Sequence, residues 1–402
     1  MLKPLTMKNK NFIWQPDRSL YPSMNENGEM DVDLSSHKYT KLWYGPNHPG
    51  VTGNMAIEVT ICGDEIVEAK THVGFLHRGF EKLLERRLFI QGFPTCIRMC
   101  VAEPDYNEYI FSRSLEELSG IEVPETALWL RTLVLEMARL QSLLRIVPGQ
   151  GGTFSLGLGV QWGMYLRDLI LDRFEELTGG RIYHMYILPG GVRGLLPDGF
   201  KDRMEENLKL IDEFTVNIEK LMFNNAIFKK RAIGVGVIQK EWVDQFGIVG
   251  INARSVGVNR DVRKDYPYLK YNDIDFDPPT ATDGDIYTRS LLRHKELIMT
   301  VDLIRQILSK LPEKGEFKAP TPNVLHWSIP KGETYVRSES SRGEYGMYFV
   351  TDGSDKPRRI NLRGPSYNHA MTLLEHMLIN ANISDLHAIM VSLQTCPPEI
   401  ER

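Results

Sequence analysis

Cysteine is scarce in this chain of 402 residues: the four present, Cys62, Cys96, Cys100 and Cys396, are too few and too scattered for the disulfide framework of a secreted protein. A reducing compartment fits them better. No Cys-x-x-Cys pair, closely spaced His pair or Ser nucleophile elbow occurs, which removes the commonest local signatures of thiol redox, zinc and acyl-transfer chemistry. An excess of one charge is also missing. Lys and Arg number 48 against 52 Asp and Glu, a net charge of -4, so there is no electrostatic footprint for nucleic acid or an anionic lipid surface. No apolar run is long enough to span a bilayer, and Met1-Leu-Lys-Pro-Leu-Thr-Met7 lacks the apolar core of a signal peptide. The expectation is a cytoplasmic chain, with docking on a membrane partner left open. Gly149-Gln-Gly-Gly152 and Gly234-Val-Gly236 lack the Lys-Ser/Thr ending and the strand-turn-helix setting of phosphate loops, and read as turns.

What is present is an ordinary globular composition, 42% apolar and 25% charged, enough to bury a core as one large unit or two closely packed ones. Residues 1–40 read as an irregular N-terminal arm, polar and without periodicity, whose Phe12, Trp14 and Tyr21 point to packing on something. Residues 41–402 read as one domain in three stretches: a β-hairpin over 41–75, a helical core with an α/β insert over 76–317, and a C-terminal β and helix segment over 318–402. In the hairpin, Ile57, Val59 and Ile61 alternate with polar neighbours, Gly63-Asp64 turns, and Ile66, Val67 and Ala69 return. Helical spacing marks 81–89, 104–119 up to the stop at Gly120, a helix opened by Pro124 at its first turn and ended by Pro148, then 160–177, 198–223 and 289–311. Short strands and loops are expected over 234–238, 247–250 and 261–285, a linker at 318–322, a small antiparallel sheet over 334–339, 346–351 and 358–362, and a last helix over 367–380. Cys62 reads as a small buried hydrophobe, while Cys96 stays open between structure and function.

The most informative pattern pairs thiols with acids. Cys100-Val-Ala-Glu103 and Cys396-Pro-Pro-Glu399 each place one thiol and one carboxylate three positions apart. Two Cys-x-x-Cys pairs in those places would make a four-thiolate site for nickel, zinc or iron clusters. Here hard acidic groups replace half of the soft ligands.

Gly45-Pro-Asn-His-Pro49, Gly74-Phe-Leu-His-Arg-Gly-Phe-Glu-Lys82, Glu122-Val-Pro-Glu-Thr-Ala127, Glu136-Met-Ala-Arg139, Pro189-Gly-Gly-Val-Arg193, Gly284-Asp285 and Gly343-Glu-Tyr-Gly346 occur in that order. Together with the Cys-x-x-Glu stretches they resemble one superfamily from about Tyr44 to Arg402: the 49 kDa (D) subunit of respiratory complex I and the large subunits of membrane-bound nickel-iron hydrogenases. The fold implied is α+β and mainly helical, a hydrogenase-large-subunit-like helical bundle with flanking antiparallel sheets. In the hydrogenase branch both Cys-x-x-Cys motifs hold the nickel-iron centre, and the second Cys of each is Glu103 or Glu399 here. Carboxylates cannot supply paired bridging thiolates, so no nickel-iron centre and no metal ligand is assigned. In the complex I branch a Tyr, a His and an Asp anchor a quinone, and the matching positions fall on Thr95, Thr52 and Thr153, so those anchors are absent.

A third branch is more similar, the large subunit of membrane-bound sulfane sulfur reductase complexes, which keeps one Cys of each pair. The resemblance implies that Cys100 and Cys396 line a pocket beside a 4Fe–4S cluster in an adjacent subunit, with inert packing or a disulfide as the alternatives. It places Glu103 and Glu399 near each other, a like-charge pair that raises one pKa towards neutrality, unless each is bridged to Arg98 or Arg402. Arg78 and Arg98 match motifs beside that cluster, or else pair structurally with carboxylates. Glu81 matches a proton-transfer glutamate; His77 is a second relay or a structural imidazole, and His48 fixes the loop between the first strands. Asp285, Arg193 and Arg263 are expected to hold neighbouring subunits.

No cofactor is expected on this chain alone. The expected partners are the small B-type subunit with the 4Fe–4S cluster, a 30 kDa C-type subunit, a membrane H-type subunit and antiporter-like subunits, which hold the chain peripherally on the cytoplasmic side of the membrane. Reduced ferredoxin is the implied donor and sulfane sulfur or polysulfide the acceptor, in an ion-translocating oxidoreductase. A quinone-reducing 49 kDa-type chain and a non-catalytic coupling or scaffold chain are the alternatives.

Overall fold

Alternation of apolar and polar residues begins earlier than the expected hairpin and gives three strands. The computed structural model describes residues 38–48, 51 and 54–402. Most of the expected arm, with Phe12, Trp14 and Tyr21, lies outside the described residues, as does Thr52. Strands β1 (Tyr39–Tyr44), β2 (Ala56–Cys62) and β3 (Glu65–His72) form an antiparallel sheet in the order β1-β2-β3. One face of β2 and β3 buries Ile57, Val59 and Ile66. His48, in the loop after β1, packs its ring against Tyr44 with centroids 3.9 Å apart.

Two short helices, α1 (Phe80–Glu85) and α2 (Phe89–Cys96), lead to α3 (Pro104–Ser119), whose limits are those expected: Pro104 supplies a pre-set φ in the first turn and Gly120 ends it in the left-handed conformation. Helix α4 (Glu125–Gly152) is buried on nearly every side and forms the axis of the core, with α5 (Gly157–Thr178) along it. Pro124 is the residue before this helix rather than within its first turn, and Pro148 lies inside it. The bond that Pro148 cannot donate is offset by packing: Gly163 of α5 sits against both the Leu144 carbonyl and the Pro148 ring, where a Cβ would be 2.5 Å from each.

A two-residue pair, β4 (Ile187–Leu188) and β5 (Gly191–Val192), precedes α6 (Phe200–Ile218), which runs on as a wider turn to Phe223. The short helices α7 (Ala226–Ala232), α8 (Glu241–Phe246), α9 (Gly250–Arg254) and α10 (Val262–Asp265) follow, so 234–238 and 247–250 are not strands. Their backbone groups are met by caps and loops instead: Gly234 N–H donates to Asp285 and Ile238 N–H to the Gly284 carbonyl. Helix α11 (Ile286–Lys310) packs on α4 and α6. The expected linker at 318–322 is pinned at its start, where Val192 N–H donates to the Phe317 carbonyl and Ala319 N–H to the Gly190 carbonyl.

The C-terminal sheet, β6 (Gly332–Ser340), β7 (Gly343–Thr351) and β8 (Arg359–Arg363), lies against α3, and α12 (Ser366–Asn368), α13 (Leu374–Leu378), α14 (Leu386–Ser392) and α15 (Pro397–Glu401) close the chain. The β6–β7 turn is Ser341-Arg342. A hairpin tip is ordinarily solvated, yet both residues are buried. Gly250 and Gly343 make this possible: both have positive φ, and a Cβ on Gly250 would stand 2.6 Å from the Arg342 carbonyl oxygen. Beneath the tip, Arg139, Arg254 and Arg263 interlock with Glu136, Asp261, Glu296 and Glu339, a buried network that ties β6 to α4, α9, α10 and α11.

Candidate functional site

The two Cys-x-x-Glu stretches both end in helix starts. Cys100 is extended, Glu103 immediately precedes α3, and Pro104 opens that helix. Cys396 precedes α15, with Pro397 and Pro398 in the first turn and Glu399 behind them. The stretches are almost 300 positions apart in sequence, but Cys100 Sγ and Cys396 Sγ lie 3.7 Å from each other. This is contact and not a bond, since a disulfide measures about 2.05 Å.

Arg342, at the hairpin tip, ties the thiols to the acids. Its Nη2 donates to Cys100 Sγ at 2.8 Å, its Nε donates to Glu103 Oε2 at 3.0 Å, and its Nη1 lies 2.8 Å from Glu399 Oε2. Neither Arg98 nor Arg402 makes these pairs. Backbone amides complete the acids: Ser341 N–H donates to Glu103 Oε1 and Ser366 N–H to Glu399 Oε1, each at 2.9 Å. Gly364 is required beside Glu399, because a Cβ there would stand 2.1 Å from Oε1.

Burial sets the proton positions. Glu399 is raised to about 7, first by desolvation and then against the opposing pull of Arg342, with Cys396 adding to the rise. Desolvation also raises the Cys100 thiol, and its hydrogen bond with Cys396 adds to this. Cys396 goes the other way, held down first by the Cys100 hydrogen bond, against burial, and then by Arg342. The pair therefore shares one proton between its two sulfurs, a thiol and a thiolate in contact. Burial by itself would lower Arg342, but Cys100, Glu399 and Glu103 outweigh it and raise the guanidinium well above its ordinary value.

Cys396 and Arg342 face a cavity of about 420 Å³, whose wall is otherwise built from the apolar Val51, Met55, Ile146, Met390 and their neighbours, with Asn54, Ser142, Arg145, Arg167, Gln394 and Thr395 as polar members. Gln394 takes a positive φ and bridges outward from the site, donating to Ser341 Oγ at 2.8 Å and accepting from Arg293 at 2.9 Å. A thiolate, a thiol, a fixed cation and a protonatable acid thus meet beside a cavity large enough for a small substrate.

The family model of the respiratory-chain NADH dehydrogenase 49 kDa subunit matches residues 158–328 and 323–402. The D subunit of the NADH-quinone oxidoreductase of Thermosipho melanesiensis is 42% identical, over 90% of this chain and 99% of that one. This chain belongs to the 49 kDa subunit family. The D subunit of the F(420)H(2) dehydrogenase of Methanosarcina mazei is 34% identical over 94% of this chain and 99% of that one. Among solved structures, a chain of the membrane-bound sulfane sulfur reductase, an archaeal respiratory membrane complex, superposes with a TM-score of 0.88 at 38% identity, covering 91% of this chain and 99% of that chain. The mainly helical architecture with small antiparallel sheets is the one the family resemblance implies. No helix among the described residues is long and apolar enough to cross a membrane.

Other expected site residues of this 49 kDa-type subunit lie around a second cavity of about 390 Å³, which includes His77, Glu81 and Arg402. His77 is exposed, with Nδ1 2.6 Å from the Glu401 carbonyl oxygen. Glu81 accepts from Arg402 Nε and from Leu362 N–H, both at 2.9 Å. Arg78 lies over the Phe80 ring at 4.1 Å and its buried Nε and Nη2 have no hydrogen-bond partner among the described residues. Arg98 is exposed, donates to the Pro94 carbonyl and lies over the Tyr183 ring at 5.0 Å, so it has no part in the thiol cluster.

Asp285 and Arg263 are not surface anchors. Asp285 caps α11 through Thr288 N–H, and Arg263 is sealed in the buried network. Arg193 is exposed but donates to the Thr178 carbonyl. Thr95 receives a bond from Arg87, and Thr153 donates to the Gln150 carbonyl at 2.7 Å. Cys62 is half-buried, and Cys96 is fully buried with its thiol 3.4 Å from the Phe93 carbonyl oxygen, an inert setting. Reasoning from sequence missed Arg342, Ser341, Gly364 and Gln394; the signal nearest to hand was the Gly343-Glu-Tyr-Gly346 motif, which begins one residue after Arg342.

Proposed function

We propose that this chain forms the sulfur-reducing chamber of a membrane-bound, ion-translocating oxidoreductase related to complex I. It would bind no flavin, nicotinamide or cluster of its own. Electrons from reduced ferredoxin would arrive, one at a time, from a 4Fe–4S cluster in the B-type partner, near Arg78 and Arg98. The C-type, H-type and antiporter-like subunits would hold the chain peripherally on the cytoplasmic side. A nickel-iron centre does not fit the donor set. Cys100, Cys396 and Glu399 bring their ligand atoms within 4.8 Å of one another, but the Arg342 guanidinium already contacts Cys100 and Glu399, and only two sulfurs are present.

The observation that carries the reading is the 3.7 Å contact between a thiol and a thiolate at a cavity wall. The Cys396 thiolate attacks a terminal sulfur of a polysulfide chain; one S–S bond forms, one breaks, and with one proton taken up the products are a Cys396 persulfide and a polysulfide shorter by one sulfur. Cys100 then attacks the Cys396 sulfur, expelling hydrogen sulfide and leaving a Cys100–Cys396 disulfide. Two electrons and one proton return the pair to thiol and thiolate. The sum is one sulfane sulfur, two electrons and two protons converted to hydrogen sulfide. Glu399, poised near neutrality, supplies the proton, and Arg342 holds the negative charge that passes between the sulfurs.

The test is to trap the persulfide. Exposing the purified Cys100→Ser complex to polysulfide without reductant should leave one added sulfur on Cys396, read by alkylation and peptide mass spectrometry, while the wild type gives the disulfide. Unmodified cysteines in both, with sulfide production intact, would contradict this reading.

A further inference from the structure

Among the described residues, the cavity that Cys396 faces carries charge of one sign only. Its described lining includes the guanidinium groups of Arg145, Arg167 and Arg342 and no carboxylate. Arg342 is neutralised by Glu103 and Glu399. Arg145 and Arg167 are not. Arg145 comes from the exposed edge of α4 and has no hydrogen bond or ion pair among the described residues. Arg167 comes from α5, is half-buried, and makes one long hydrogen bond, to Gln141 Oε1 at 3.4 Å. The acid next to it in sequence, Asp168, is held by Arg181 at 2.5 Å. Desolvation lowers Arg167 below its ordinary pKa, and the charge of Arg145 adds to this against the pull of Asp168.

Two guanidiniums lining one cavity favour an anion in it, and their planar forks suit an anionic terminus. The same lining carries the apolar side chains of Val51, Ile146 and Met390 together with Cys396. A ligand matched to a lining that is cationic and apolar together is a short apolar chain with negative charge at its ends. We propose that Arg145 and Arg167 form an anion subsite that selects inorganic polysulfide, a sulfur chain charged at both ends, and positions its far terminus while the near one meets Cys396. This rests on the sulfur-reducing reading and adds a preference that reading does not require, for charged over neutral sulfane sulfur. The apolar stretch accommodates the uncharged inner sulfurs, and the distal charges draw the dianion in from solvent. Arg145 and Arg167 are positioning residues, since neither touches the reacting sulfurs.

The experiment uses the whole purified complex and two acceptors, inorganic polysulfide and a neutral dialkyl trisulfide, with Arg145→Gln, Arg167→Gln and the double variant. The ratio of the two KM values, polysulfide over trisulfide, should rise about tenfold in the double variant, the size of one lost charge-assisted hydrogen bond. Added salt should raise the polysulfide KM in the wild type and much less in the double variant. A readout that needs no turnover is the alkylation of Cys396. Iodoacetate, an anion, should react faster relative to neutral iodoacetamide in the wild type than in the double variant. A KM ratio and an alkylation ratio both unmoved by the substitutions would overturn the subsite even if sulfide is produced. If the complex reduces neither sulfur compound, the functional reading fails, while the alkylation ratio still decides whether these arginines select anions.

Discussion

Arg342 and Cys100 are joined by a 2.8 Å contact from guanidinium to sulfur, where the two Cys-x-x-Glu stretches meet. The same guanidinium reaches Glu103 and Glu399, so one side chain brings positive charge to both thiol and acids. Replacing Arg342 by Met leaves Glu103 and Glu399 buried with no counter-charge, a loss of about 3–5 kcal/mol for a broken buried pair. The expected outcome is a lower unfolding temperature and loss of sulfide production, with Arg342→Lys restoring part of the stability but not the forked contacts. Thermal unfolding and turnover of the purified variants measure both.

The acid limb of the site has a defined direction with pH. Glu399, raised to about 7, is protonated and able to donate below that value, so turnover should fall as pH rises through about 7. Glu399→Gln cannot donate and should lower turnover while removing that limb from the kcat/KM profile. Stability follows the same sign. Because the folded pKa lies above the ordinary carboxylate value, the contribution of Glu399 is complete below about 4.5 and is lost as pH rises through about 7. The Gln variant should lose this dependence.

Gly364 tests how closely the acid is held. An added Cβ would meet Glu399 Oε1 at 2.1 Å, so Gly364→Ala must push the carboxylate away from Ser366 N–H and Arg342. A destabilisation of about 1–3 kcal/mol is expected, with a drop in turnover of about tenfold or more. Gly149→Ala, inside α4 where an added Cβ meets nothing within 4 Å, is the matched control and should be neutral or slightly stabilising.

How much of this was legible depends on whether the cause was local. The limits of α3 follow from Pro104 and Gly120, and the strands of the C-terminal sheet follow from alternation, because in each case the signal lies within the element. The meeting of Cys100, Cys396, Glu103 and Glu399 was legible through the paired spacing and its family resemblance. Arg342 was not, since nothing in its spacing relates it to positions 100 or 396; only tertiary packing of a hairpin tip, permitted by Gly250 and Gly343, delivers it. Arg263 and Asp285 were misplaced on the surface for a related reason. A charged residue carries no local mark of burial, and here partners from distant elements make the burial tolerable. The apolar, glycine-punctuated runs at 234–238 and 247–250 look alike for strand and loop until their hydrogen-bond partners are known.

The proposed role of Cys100 and Cys396 is to pass electrons to sulfur. Its most direct test is the fate of electrons from reduced ferredoxin in the whole purified complex offered polysulfide, a quinone and protons together. The expected result is one hydrogen sulfide for every two electrons, abolished by Cys396→Ser in a complex that still assembles. Electrons recovered in quinol or hydrogen, or sulfide production undiminished by Cys396→Ser, would contradict it.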